Sequence, residues 1–233
     1  VKIKDSVAFV TGANRGLGLA LVNELLRQGA SKVYAGVRDP GSISLPGVVP
    51  VKLDVTNATD IAAAAAQCGD VNLLINNAGI ARTVNYMDPA AIEVGREIFE
   101  ANFFGMIRMS QAFTPVLAAN GGGAFVNILS VASWVNRPEL SLYAASKSAA
   151  WGFTNGLRTS LHGQGTQVLG VHVGFMDTDM TEGFEVAKVA PEDVAQKTVN
   201  AVAEGLDELI ADEITRTVKE GLSAGIYLSP LQR

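Results

Sequence analysis

Short, almost wholly apolar runs alternate with longer amphipathic stretches along the chain, and this alternation leaves few folds open. The strand candidates are residues 7–11, 32–37, 48–53, 71–75, 124–129, 167–173 and 208–211. Between them lie helical patterns over 17–28, 61–68, 92–119, 143–162, 191–205 and 214–223. Strands that are apolar throughout, rather than on every second residue, are covered on both faces, which predicts a parallel sheet with helices on each side. Pro191 suits a first helical turn, where its missing N–H has no partner to lose. No linker, repeat or composition break divides the chain, so it reads as a single α/β domain over 1–233.

Hydrophobic residues make up 48 % of the sequence and charged residues 18 %, enough apolar material for a sizeable core and too much for disorder. The net charge of −5 and the lack of a basic cluster argue against nucleic acid as a partner. Cys68 is the single cysteine and there are two histidines, which excludes an internal disulfide and makes a metal site improbable. No apolar run approaches the ~20 residues of a membrane span. These features read as a soluble, cytoplasmic protein of a reducing compartment.

The first strand runs into Thr11-Gly12-Ala13-Asn14-Arg15-Gly16-Leu17-Gly18, which opens the first helix. Glycines at such a turn let the backbone approach a pyrophosphate, and the helix N-terminus adds free N–H groups and partial positive charge. The spacing is G-x-x-x-G-x-G rather than the G-x-G-x-x-G of the common dinucleotide fingerprint. Taken alone, a plain Gly-rich turn is the rival explanation.

The turn does not stand alone. Asn76-Asn77-Ala78-Gly79 follows the fourth strand, Ser130 ends the fifth, and Tyr143-Ala-Ala-Ser-Lys147 opens a helix, in that order. Together they resemble the classical short-chain dehydrogenases/reductases, from Val7 to about Thr181. The resemblance implies a Rossmann-like, doubly wound parallel sheet and a Ser–Tyr–Lys site supported by an Asn. On the matching positions these are Ser130, Tyr143, Lys147 and Asn102.

Tyr and Lys four residues apart share one face of a helix. A free tyrosine, with a pKa of ~10, is a poor proton shuttle near neutrality, and a neighbouring ammonium is expected to lower that value. Tyr143 is then the proton donor to a carbonyl oxygen as hydride arrives, and Ser130 hydrogen-bonds the same oxygen. By the family's pattern Lys147 also contacts the nicotinamide ribose, and Asn102 supports a water path for the proton. The resemblance places the cofactor against Gly12, Asn14, Arg15, Gly16, Leu17, Gly18, Asp54, Val55, Asn77, Ala78 and Gly79, and against Tyr143, Lys147, Gly174 and Thr178. Asp54 matches the residue that bonds the adenine amino group, with a helix-capping role as its rival.

The second strand ends Val37-Arg38-Asp39. An NAD site places a carboxylate at this strand end, whereas Val37 cannot bond a ribose hydroxyl. Arg15 and Arg38 instead suit the 2′-phosphate of NADP(H), although a shift of one residue would offer Asp39 as the ribose acceptor.

Three departures from the family pattern stand out. The 39–50 segment is too short and too rich in Pro and Gly for a full helix, Val173-Gly174 replaces the usual Pro-Gly, and only about ten residues separate Met180 from Pro191. The last implies a short lid and an open site. Val131, Ala132, Trp134, Leu140 and Phe175 are the expected substrate-cleft residues, with Ile80 and Arg82 at the edge and simple packing as the alternative for Trp134. Trp151 and His172 read as packing residues. The overall reading is an NADPH-dependent reductase of a small-molecule ketone or aldehyde, possible as a homo-oligomer through the amphipathic final helix. An NAD-dependent alcohol dehydrogenase and a non-catalytic cofactor-binding sensor are the alternatives.

Overall fold

The seven strands predicted from apolar runs assemble into one sheet in the order β3-β2-β1-β4-β5-β6-β7, with every neighbouring pair parallel. The strands are β1 (Val7–Thr11), β2 (Lys32–Val37), β3 (Val48–Lys52), β4 (Leu73–Asn76), β5 (Gly123–Ile128), β6 (Thr166–His172) and β7 (Glu208–Ile210). They are interleaved with helices α1 (Gly16–Arg27), α2 (Ala58–Gln67), α3 (Ala91–Phe99), α4 (Gly105–Ala119), α5 (Ser141–Leu161), α6 (Pro191–Glu204) and α7 (Glu213–Gly221). The computed structural model describes residues 1–228; positions 229–233 of the expected domain lie outside the described residues.

Apolar strands arise here because the pleat sends alternate residues into two separate cores. On one face Ala8, Val10, Leu73, Ile75 and Val126 pack against α1 and α6 through Leu21, Leu25, Val199 and Val202. On the other, Phe9, Leu74, Phe125 and Val168 meet Ile61, Met109, Phe113 and Leu117 from α2 and α4. The sheet reverses direction of growth between β1 and β4, and a ligand crevice is expected beyond the strand ends at such a point.

Where the sequence predicts one helix over 92–119, the chain forms α3 and α4 joined by a π-helical segment, Glu100–Phe104. The 39–50 segment holds only a short 3-10 turn, Pro40–Ser42, as its composition implied. Among the described residues no helix is long and apolar enough to cross a membrane, and no cluster of three His, Cys, Asp or Glu side chains is placed to hold a metal.

Candidate active site

The turn from β1 into α1 is built around three glycines. Gly12 and Gly16 have φ of +65° and +51°, in the left-handed region that disfavours a side chain. A Cβ on Gly18 would lie 2.0 Å from the Gly12 carbonyl oxygen and 2.7 Å from Asn77 Nδ2, so only hydrogen fits. Arg15 precedes α1 in extended conformation with no side-chain cap, and the first turn holds no acidic residue. The helix therefore points uncapped N–H groups at the crevice.

Asn77 ties the second motif to the first. Its Nδ2 donates to the carbonyls of Thr11 (2.8 Å) and Gly12 (3.2 Å), while the Thr11 hydroxyl accepts from the N–H of Asn77 and of Ala78, both at 2.9 Å. Beyond these loops the strand ends open into a cleft of about 1030 Å³. Its walls include all the predicted positions of the glycine turn, Arg38, Asp54, Val55, the Asn77–Gly79 loop, Gly174 and Thr178. Ile80 and Arg82 line it as well. The Asp54 carboxylate accepts from the N–H (2.9 Å) and hydroxyl (2.7 Å) of Thr56, which holds it below the usual carboxylate range. The cap of α2 is Asn57, not Asp54.

Ser130, Tyr143 and Lys147 all line this cleft. Ser130 stands just past β5, where its Oγ accepts from the Ala132 N–H at 3.1 Å. Lys147, one turn along α5 from Tyr143, is buried and donates from Nζ to the Ile128 carbonyl at 2.8 Å. Its ammonium lies 5.9 Å from the centre of the Tyr143 ring. The expected lowering of the Tyr143 pKa is not met by the residues around it: burial pushes the phenol up, and the Ser130 side chain opposes this only in part. Burial likewise brings Lys147 down to about 8, because no carboxylate offsets the loss of water around it.

Asn102 lies in the π segment, fully buried behind the cleft rather than on its wall. Its Nδ2 donates to the Ile80 carbonyl (2.9 Å) and Ser146 Oγ (3.1 Å), and its Oδ1 accepts from the Ile80 N–H (2.8 Å). Both amide hydrogens are thus committed to bracing the loop after β4 against α5.

None of the five expected substrate residues is among those lining this cleft. Directly after Ser130 the chain coils into a 3-10 turn, Val131–Ser133, which holds Val131 and Ala132. Trp134 takes its packing alternative, stacked on His172 at 4.0 Å and set edge-on to Trp151 at 6.0 Å. Leu140 closes another short turn, Pro138–Leu140, and Phe175 packs on Phe184 at 5.3 Å. Met176, Met180 and Thr181 line the cleft instead. Their signal was their nearness to Thr178, although a period of two or four could not say which side chains of an irregular loop face inward.

Two further residues escaped the sequence reading. Asp212 caps α7 through the N–H and hydroxyl of Thr215 and also accepts the Gly174 N–H at 2.7 Å, which anchors the cleft floor to the final helix. Asp179 pairs with Arg15 across the cleft mouth at 2.9 Å.

This geometry agrees with what the chain resembles at large. Residues 6–188 match the family described as short chain dehydrogenase. The chain belongs to that family. A short chain dehydrogenase from Burkholderia cenocepacia J2315, solved in complex with NADP, is 39 % identical and superposes with a TM-score of 0.92 over 97 % of this chain and 95 % of that one. A short-chain dehydrogenase of Penicillium ochrochloron, ptmH, is 34 % identical over 90 % of this chain and 80 % of its own. A short chain dehydrogenase/reductase from Burkholderia phymatum, in complex with NAD, shares the fold at a TM-score of 0.86 and 23 % identity over the full length of both chains. The protein is accordingly an oxidoreductase of a nicotinamide-cofactor family, with the glycine-cradled cleft shaped to take such a cofactor.

Proposed function

We propose that the protein reduces a ketone or aldehyde to an alcohol at the expense of NADPH, within one domain that both binds cofactor and carries the reacting groups. The observation that carries this reading is one cleft lined by Ser130, Tyr143 and Lys147 together with the glycine-rich turn that opens α1. When bound, the cofactor supplies hydride. Tyr143 gives its proton to the substrate oxygen, and the burial that raises its pKa keeps it a phenol, the form a reduction needs, near neutral pH. Ser130 donates to the same oxygen as charge develops there. Lys147 holds the nicotinamide ribose and sets positive charge beside the phenol, and Asn102 supports the proton path from behind the cleft by bracing the loop after β4.

The choice of NADP(H) rests on charge. Arg15 and Arg38 face the cleft, Val37 offers no acceptor, and one oxygen of Asp39 already takes the Gly41 N–H at 2.9 Å. Arg15 is free to exchange partners, because an exposed ion pair such as that with Asp179 is worth at most about 1 kcal/mol. The NADP complex of the Burkholderia cenocepacia relative supports the same choice. Met176 and Met180 on the substrate side are adaptable apolar surfaces suited to varied ketones.

The test is consumption of NADPH and of NADH, run separately against aryl ketones, aldehydes, diketones and ketoesters. NADPH preference by tenfold or more, a difference of about 1.4 kcal/mol, is the expected result. Preference for NADH would hand the ribose to Asp39, and bound cofactor without turnover on any carbonyl would mark a sensor.

A further inference from the structure

His172, the last residue of β6, is fully buried yet forms no part of the cleft wall. Its Nδ1 lies 3.2 Å from the carbonyl oxygen of Ser130. A carbonyl only accepts, so Nδ1 carries the hydrogen and Nε2 is bare. Nε2 has no hydrogen-bond partner, and the Glu208 carboxylate, itself held by Lys219, lies 3.7 Å from it. The ring is fixed on both sides, stacked on Trp134 at 4.0 Å and met edge-on by Trp151 at 6.3 Å. The charged groups around it are Glu208 from β7, Lys219 from α7 and Lys147 from α5.

An apolar side chain would fill this place without leaving a buried nitrogen unpaired, so stability alone gives no reason for a histidine. The reason lies in what the paired nitrogen holds. Ser130 stands where β5 ends and the 3-10 turn begins, and its carbonyl also accepts the Ser133 N–H at 2.9 Å. The same residue's hydroxyl oxygen accepts the Ala132 N–H at 3.1 Å, and Ser130 lines the cleft together with Tyr143. We propose that His172 is a positioning residue, whose Nδ1–H fixes the main chain at Ser130 and thereby aims the Ser130 hydroxyl at Tyr143 and the substrate oxygen. This rests on the carbonyl-reductase reading for its kinetic consequence, but not for the hydrogen bond itself.

Two measurements test it. In the wild-type protein at neutral pH, ¹⁵N shifts of the imidazoles, with His162→Gln to assign the two histidines, should show Nδ1–H and a bare Nε2. An Nε2–H tautomer would overturn the proposal whether or not any carbonyl is turned over. Then His172→Leu and His172→Asn are compared on the aryl ketone the wild type reduces fastest. Asn keeps an N–H at the reach of Nδ1 but leaves the larger void, so it should be the less thermostable and the more active of the two. His172→Leu should lose about tenfold in kcat with ketone KM and NADPH Kd within about twofold, and should lose nothing further on a Ser130→Ala background. A kcat that follows thermal stability, or a His172→Leu loss that multiplies the Ser130→Ala loss, would contradict it.

Discussion

At the scale of single residues, the site depends on groups whose surroundings oppose their ordinary chemistry. Lys147 has a pKa depressed by burial to about 8, against 10.5 for the free side chain. Between those values the unfolded chain binds the extra proton, so the group adds stability as pH rises through that window and withholds it below pH 8. Cys68, raised by burial to about 12, works the other way above pH 9, since only the unfolded thiol ionises there. Urea midpoints of wild type and Lys147→Met from pH 7.5 to 10 should therefore converge as pH rises, with the wild type gaining on the variant. Midpoints that stay parallel would place Lys147 in a wetter site than the structure shows. Gly18 is the second decisive position. A methyl group 2.0 Å from the Gly12 carbonyl has no room, so Gly18→Ala should abolish NADPH binding, measured by cofactor fluorescence, and cost several kcal/mol of stability.

Elements position what residues perform, and their joints are where the sequence was hardest to read. The glycine turn, the Asn-Asn-Ala-Gly loop and the Tyr-x-x-x-Lys pair stood out because they occur together and in order, where each alone had a plain structural rival; all three supply residues to one cleft. The five expected substrate residues, none of which lines that cleft, were harder to assign, since the inward side of an irregular turn is set by tertiary packing. The π segment carrying Asn102 was equally hidden, because one widened turn inside an apolar-periodic stretch leaves the period almost unchanged. Asp212 was out of reach too, since its bond to the Gly174 N–H joins residues 38 apart in sequence. That carboxylate caps α7 and secures the cleft floor at once, so Asp212→Ala should cost about 2 kcal/mol in chemical denaturation and weaken NADPH binding. Normal cofactor affinity in that variant would mean that the floor holds its shape without α7.

At the scale of the whole molecule, a parallel sheet with a reversal between β1 and β4 puts the ends of six strands, β1 to β6, around one crevice. A parallel sheet covered on both faces was legible from alternation and strand composition, and its doubly wound order came with the resemblance to a family. The two cores behind the crevice differ in kind: the α1/α6 side is built from small aliphatic residues, and the α2/α4 side from Phe9, Phe113 and Phe125. Phe113→Ala, at the centre of the second core, should cost about 3–5 kcal/mol with kcat little changed, as read by denaturation and turnover of the same preparation. The cofactor end is sensitive to charge over a longer range. Arg15 and Arg38 both face a cleft in a protein of net charge −5, so NADPH affinity should fall with ionic strength more steeply than NADH affinity. Narrower than these is the role proposed for Tyr143, a proton donor with no large part in holding the cofactor. Tyr143→Phe tests it most directly, with NADPH Kd and turnover of the best ketone measured on one sample. The account predicts a Kd within about twofold of wild type and turnover reduced by at least about a hundredfold. Residual turnover near the wild-type rate would remove Tyr143 from the chemistry, and loss of NADPH binding along with activity would make it a structural residue.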